Sequence, residues 1–197
     1  MIPQINPIVL LFASIFTSNI ILSNFLGLCS FISISKDMKA SNGLGMAVTF
    51  VLTITSVINW LVYKYILLPF DLEYLRYIVF IIVIAAVVQI LEMLIDRIST
   101  GLYMVLGIFL PLITVNCAIL GAVLFIQIRN YSLVQTVTFG LGSGLGWWLA
   151  IMALAAIRKK IEKSPIPAPL QGAGITLIII GIMAMAFIGF SGMLNVQ

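Results

Sequence analysis

Six long apolar runs decide what this chain can become. They cover residues 7–32, 43–67, 77–94, 102–128, 133–157 and 175–193. Each is long enough to cross a hydrocarbon core of about 30 Å as a helix. Inside that core the backbone finds no water, so every crossing segment must satisfy its own N–H and C=O groups. The rest of the chain is hardly better suited to water. Hydrophobic residues make up 62% and charged residues 8%, against about 25% charged in an ordinary globular chain. The reading is an all-α integral membrane protein with six transmembrane helices, a single membrane domain over residues 1–197.

The placement of Lys and Arg orients the spans. Connections after the first, third and fifth spans carry Lys36, Lys39, Arg97, Arg158, Lys159, Lys160 and Lys163, whereas those after the second and fourth carry Lys64, Arg76 and Arg129. The richer set is expected in the cytoplasm, with both termini outside, in a bacterial cytoplasmic (inner) membrane. The net charge of +4 follows from this bias, and no clustered basic face on a soluble domain points to nucleic acid. The first 30 residues lack a basic start and a small-residue exit, so no cleavable signal peptide is expected. The longest polar piece, 158–171, holds Pro165, Pro167 and Pro169, which keep it extended.

Six spans divide into two sets of three, about 1–98 and 99–197. Each half opens with a span holding one cysteine, and its second span opens on the same tripeptide, Gly43-Leu44-Gly45 and Gly140-Leu141-Gly142. An odd number of spans per half forces the halves into opposite orientations, the inverted-repeat plan in which broken helices meet near the midplane. A chance recurrence stays open, because glycine is common in membrane helices and the cysteine-to-tripeptide spacing differs, 14 against 23 residues.

The candidate chemistry sits on few residues. Cys29 and Cys117 are the only cysteines, and the chain has no histidine. Gly27 beside the first thiol and Pro111 six residues before the second place both where helices are expected to break. A membrane cysteine is more often a small apolar filler, and that reading stays open. Two thiolates are also half of the four-cysteine set that holds an iron–sulfur cluster, the other half coming from a partner. Zinc would want four nitrogen or sulfur ligands, haem lacks an axial histidine, and a disulfide is unattractive in a cytoplasmic membrane. Glu92 lies inside the third span, and an ionisable side chain there is a functional candidate by default. With Gln89, Thr114 and Asn116 it offers oxygen ligands to a hard cation; equally, it reaches the interface and pairs there with a basic neighbour. Trp147 and Trp148 follow Gly142-Ser143-Gly144-Leu145-Gly146, a small-residue face that lets another backbone approach. The tryptophans read as interfacial or packing residues, and Trp60, Tyr63, Tyr65, Tyr74 and Tyr77 as an aromatic belt. No phosphate loop, dinucleotide fingerprint or hydrolase elbow is present.

Three segments carry a resemblance over nearly the whole chain: Phe25-Leu26-Gly27-Leu28-Cys29, Leu106-Gly107-Ile108-Phe109-Leu110-Pro111-Leu112-Ile113-Thr114-Val115-Asn116-Cys117, and Phe190-Ser191-Gly192. They resemble the NqrE/RnfA family, shared by the sodium-translocating NADH:quinone oxidoreductase and the Rnf ferredoxin:NAD oxidoreductase. Thr114-Val115-Asn116-Cys117-Ala118-Ile119-Leu120-Gly121 and the Trp147-Trp148 pair look like the Nqr branch, while the short 67–76 connection looks like the Rnf branch. The resemblance implies a [2Fe–2S] cluster held within the membrane, with Cys29 and Cys117 as two ligands. The other two would come from a homologous subunit of opposite topology, NqrD or RnfE. It further implies electron relay coupled to sodium (or proton) transport, with flavins, quinone and NADH bound by other subunits and no catalytic site on this one. A secondary transporter or a structural scaffold, with the cysteines merely packing, is the competing reading.

The charge pattern makes a direct prediction. An alkaline phosphatase fused after Gln197 should be active, and a cytoplasm-only reporter fused there silent; the reverse would invert the topology.

Overall fold

The computed structural model describes residues 6–98, 110–162 and 172–191, and its regular elements there are all helical. In chain order they are α1 (Pro7–Phe12), a π-helical turn (Ala13–Thr17), α2 (Ile20–Asn24), α3 (Leu28–Ile34) and α4 (Met38–Val62), which runs on through a second π turn (Tyr63–Leu67). After a 3₁₀ turn (Glu73–Leu75) come α5 (Arg76–Ile98), α6 (Leu110–Thr114), α7 (Cys117–Ile128), α8 (Leu133–Ile161) and α9 (Ala173–Ser191). Among the described residues, four stretches are long and apolar enough to cross a membrane by length and composition: Met38–Leu67, Glu73–Leu94, Pro111–Ile128 and Leu133–Ile161. Pro7–Thr17 and Ala173–Gly189 are shorter apolar helices.

Local chemistry explains the main boundaries. The second span starts earlier than its hydropathy suggests, at Met38, because the Asp37 carboxylate accepts the Lys39 N–H at 3.0 Å. Asp is among the best N-caps. α8 starts with a capping box: the Ser132 hydroxyl accepts the Gln135 N–H, and the Gln135 side chain accepts the Ser132 N–H. It ends on Arg158, Lys159 and Lys160, whose charge suits the negative end of the peptide dipoles. The first apolar run is not one helix. A π turn and two breaks divide it, the second running through Phe25 and Gly27, both with positive φ (54° and 88°). The fourth run is broken too, between α6 and α7, at Val115 and Asn116. The start of that run lies outside the described residues.

α8 is the axis of the molecule. It runs antiparallel to α4, with Trp148 against Gly45, Gly144 against Thr49 and Gly140 against Thr53 and Ser56. A Cβ on Gly144 would lie 2.7 Å from the Thr49 Cα. The other side of α8 is as closely approached: a Cβ on Gly146 would lie 3.0 Å from the Ile15 carbonyl, and one on Gly142 3.0 Å from that of Leu11. The glycine-rich face is thus pressed by two neighbouring segments. Lipid gives no hydrophobic drive for helices to associate, so such close backbone packing holds them together.

Two end-to-end contacts set the ladder of the bundle. Arg158, near the end of α8, donates to the Ile32 carbonyl at 2.8 Å and the Ser35 hydroxyl at 2.6 Å. The Trp60 indole N–H, late in α4, donates to the Tyr131 carbonyl at 2.8 Å. The 35–39 connection therefore shares one end of the bundle with the last turn of α8, and the end of α4 shares the other with the turn before α8. Lys64, stacked on Trp60 at 4.7 Å, and Arg129 mark that second end, where Tyr65, Tyr74 and Tyr77 are exposed.

Gly144→Ala should drive α4 and α8 apart and destabilise the fold by about 1–3 kcal/mol, read as a lower melting temperature. Gly181→Ala, where the Cβ has no described neighbour within 4 Å, should leave it unchanged.

Candidate functional site

Both cysteines stand at helix starts created by the two breaks. Cys29 is the second residue of α3 and Cys117 the first of α7. Gly27, just before α3, lies against Trp147, the central residue of α8: a Cβ on Gly27 would be 3.0 Å from the indole nitrogen. α3 then runs toward the Arg158 end of α8, and α7 toward the turn that opens α8. With α8 spanning 29 residues, about 43 Å, the two short helices start near mid-depth and point in opposite directions. The positive ends of their peptide dipoles face the cysteines.

A small hydrogen-bond circuit joins the breaks. The Gly27 N–H donates to the Cys117 Sγ at 2.9 Å. The Asn116 amide nitrogen donates to the Ser30 hydroxyl at 3.3 Å, and that hydroxyl donates to the Gly27 carbonyl at 3.2 Å. The Asn116 carboxamide oxygen meanwhile caps α7, accepting the Ala118 N–H at 3.0 Å. Leu26 fills the notch at Gly121 on α7, and Phe31 meets Trp147 edge-on with centroids 6.2 Å apart. Gly27 cannot be exchanged freely: its φ is left-handed, and a Cβ would meet Asn116 Oδ1, Ala118 Cβ and Trp147 Nε1, each at 3.0 Å. Phe25, also left-handed, takes a backbone conformation that is strained for a bulky residue, by about 1–3 kcal/mol.

Cys29 is exposed on the surface of the chain and Cys117 is partly buried. The bend therefore presents a sulfur outward, in reach of a neighbour in the bilayer. Among the described residues no three of His, Cys, Asp and Glu come together. Thr114 and Asn116 sit at the second break beside Cys117, while Glu92 is half-buried on α5. Trp147 is fully buried, a packing residue, and Trp148 bonds the Asn42 oxygen at 3.1 Å.

Two contributors escape sequence reasoning. Ser30 closes the circuit, and Asn19 secures the first run. Asn19 is buried; its oxygen accepts the Ile21 N–H at 3.2 Å, and its nitrogen donates to the carbonyls of Ile15 and Gly146, at 3.0 and 2.9 Å. The signal available for Asn19 was an asparagine amid an apolar run, one residue ahead of renewed helix.

The profile of a family described as "Rnf-Nqr subunit, membrane protein" matches residues 8–194. A protein of Chlamydia trachomatis serovar L2, named as the E component of the Na(+)-translocating NADH-quinone reductase, is 53% identical over 189 residues, covering 90% of this chain and 78% of its own. Serovar D has a relative of the same name and the same figures. So does Chlamydia muridarum at 52% identity, with equal coverage.

Asn116→Ala removes the α7 cap and the Ser30 link together. It should lower stability by about 1–2 kcal/mol, whereas Asn116→Asp, which keeps the cap, should lose less; thermal unfolding of both variants checks the ranking.

Proposed function

The chain belongs to the Rnf-Nqr family of membrane subunits, and on that footing we propose that it is the membrane subunit of a sodium-translocating NADH:quinone oxidoreductase that holds half of an intramembrane [2Fe–2S] cluster. The observation that carries the proposal is the bend itself. Two cysteines 88 positions apart are brought to opposed helix starts at mid-depth, with a backbone N–H directed at one sulfur. A packing cysteine needs no such construction.

The donor set suits a shared cluster. A two-iron cluster takes four thiolates, and hydrogen bonds to the sulfurs tune it. Cys29 and Cys117 would supply two ligands, and a homologous subunit of opposite topology, of the NqrD kind, the other two. When bound, the cluster supplies one-electron transfer between redox centres on the two membrane faces. This chain's own residues hold the geometry: Asn116 and Ser30 tie the opposed helices, Gly27 offers its N–H to Cys117, and Trp147 and Phe31 wall the bend from behind. Flavins, quinone and NADH belong to other subunits, so this one carries no catalytic site of its own.

The opposed α3 and α7 support reading the chain as two inverted three-helix repeats, 1–98 and 99–197, with six crossings of a bacterial cytoplasmic membrane. The bundle end holding Lys36, Lys39, Arg97 and Arg158 faces the cytoplasm, which leaves both termini outside. Sodium is the coupling ion, as the names of the relatives suggest. Glu92 is its carboxylate on this chain, with Thr114 and Asn116 as oxygen donors; the Asn116 side chain serves the bend as well.

Cys29→Ser or Cys117→Ser in the purified complex should remove the iron and the paramagnetic signal of this cluster, and stop electron flow. A double Cys→Ala complex with full iron and normal turnover would defeat the proposal. Glu92→Gln should leave that signal intact and weaken the sodium dependence of turnover; unchanged sodium dependence would retire Glu92 alone.

A further inference from the structure

Hydroxyls in these helices often donate back to a carbonyl in the turn before. Buried Thr49 and Thr55 do so to Gly45 and Val51, and half-buried Thr53 and Thr138 to Thr49 and Val134. Among the described residues, six buried polar atoms depart from the pattern and have no partner there: Ser56 Oγ, Asn59 Oδ1, Gln127 Nε2, Thr136 Oγ1, Ser143 Oγ and Trp147 Nε1. Their residues are all more than nine-tenths buried.

Their placement is ordered. Thr136, Ser143 and Trp147 are spaced by 7 and 4 residues, so they share one stripe of α8. Ser56 points at Gly140, between the first two, with its Oγ 3.3 Å from where a Cβ would be. The antiparallel register that sets Gly144 against Thr49 and Gly140 against Ser56 brings Asn59 opposite Thr136. Gln127 lies in the last turn of α7, which the Trp60–Tyr131 bond straps to the same end of α4. The levels 136, 140, 143 and 147 follow one another at about 4.5–6 Å along the axis. The file begins one turn inside the Lys64 and Arg129 end and finishes where Trp147 touches Gly27.

We propose that these six atoms line a file of bound water, reaching from that end of the bundle to the cysteine bend. A buried polar group without a partner costs about 1–3 kcal/mol, and internal water is the usual partner of such groups, making about three hydrogen bonds apiece. Three of them on one stripe of α8, Ser56 against the Gly140 between them, and Asn59 and Gln127 toward the same end of the bundle mark a hydrated path. Water is the fitting occupant: the six atoms belong to hydroxyl, carboxamide and indole groups, and none of their side chains is charged, so a bare cation would meet no counter-charge. The file stands whatever the cysteines hold.

Hydroxyl-radical footprinting of the purified complex tests it, because bound water carries radical damage to side chains that bulk solvent cannot reach. Trp147 should be oxidised despite its burial, while equally buried Phe80 is spared, and Ser143→Val or Thr136→Val should cut Trp147 oxidation severalfold. Ser143→Ala, which adds no bulk, serves if the valine variant does not assemble. Unoxidised Trp147 beside oxidised surface residues overturns the proposal. So does oxidation that the variants leave unchanged, since water would then arrive from the cysteine side. A higher melting temperature for Thr136→Val would also overturn it, as expected of dry hydroxyls.

Discussion

A backbone that leaves the helical ladder inside a membrane must find other partners for its peptide groups, and most of this structure answers that demand. Two helices break at mid-depth. The Phe25 and Leu26 N–H groups fall back on the Ile20 carbonyl, the Gly27 N–H goes to the Cys117 sulfur, and the turn at Val115 and Asn116 is closed by bonds to Pro111 and Ile113. The first break is thus partly repaired by the second. Non-helical backbone is tolerated at this depth only where protein surrounds it, and α7, α8 and Phe31 do so here.

α8 makes that enclosure possible. Its glycines let α4 approach on one side and the first apolar run on the other, so that Trp147 and Phe31 can fill the space behind Gly27. Side chains at Gly142, Gly144 and Gly146 would hold these backbones apart and open the rear of the bend. The Arg158 contact works at longer range. It donates to the end of α3, the helix that carries Cys29, and so anchors that helix at the bundle end while the Asn116 circuit anchors its start.

Much of this was legible in the amino-acid sequence. Hydropathy located the apolar runs, and the glycines of α8 announced a close backbone approach, because each signal is local and survives in any tertiary setting. Cys29 and Cys117 stood out because they fell beside helix breakers in segments that had to cross a membrane. The use of the asparagines was not legible. Whether Asn19 or Asn116 caps, bridges or binds depends on carbonyls and hydroxyls more than 80 residues away, and no spacing rule carries that information. Of the two roles open to Trp147, interfacial or packing, the structure shows packing, with Phe31 of α3 against its ring.

The Gly27–Cys117 bond also has a bearing on how the chain is made. Its partners are separated by 90 residues. Synthesis at about 5–20 residues per second would leave on the order of ten seconds between them. Over that interval a bend in the first apolar run would leave the left-handed Phe25 and the Gly27 amide unsupported, with no α8 glycines to receive it. The nascent segment must wait, as a continuous helix or in the shelter of the insertion machinery, and bend only when the second half arrives. The cysteine bend is therefore a late product of biosynthesis, formed after the chain that contains it is largely threaded through the membrane.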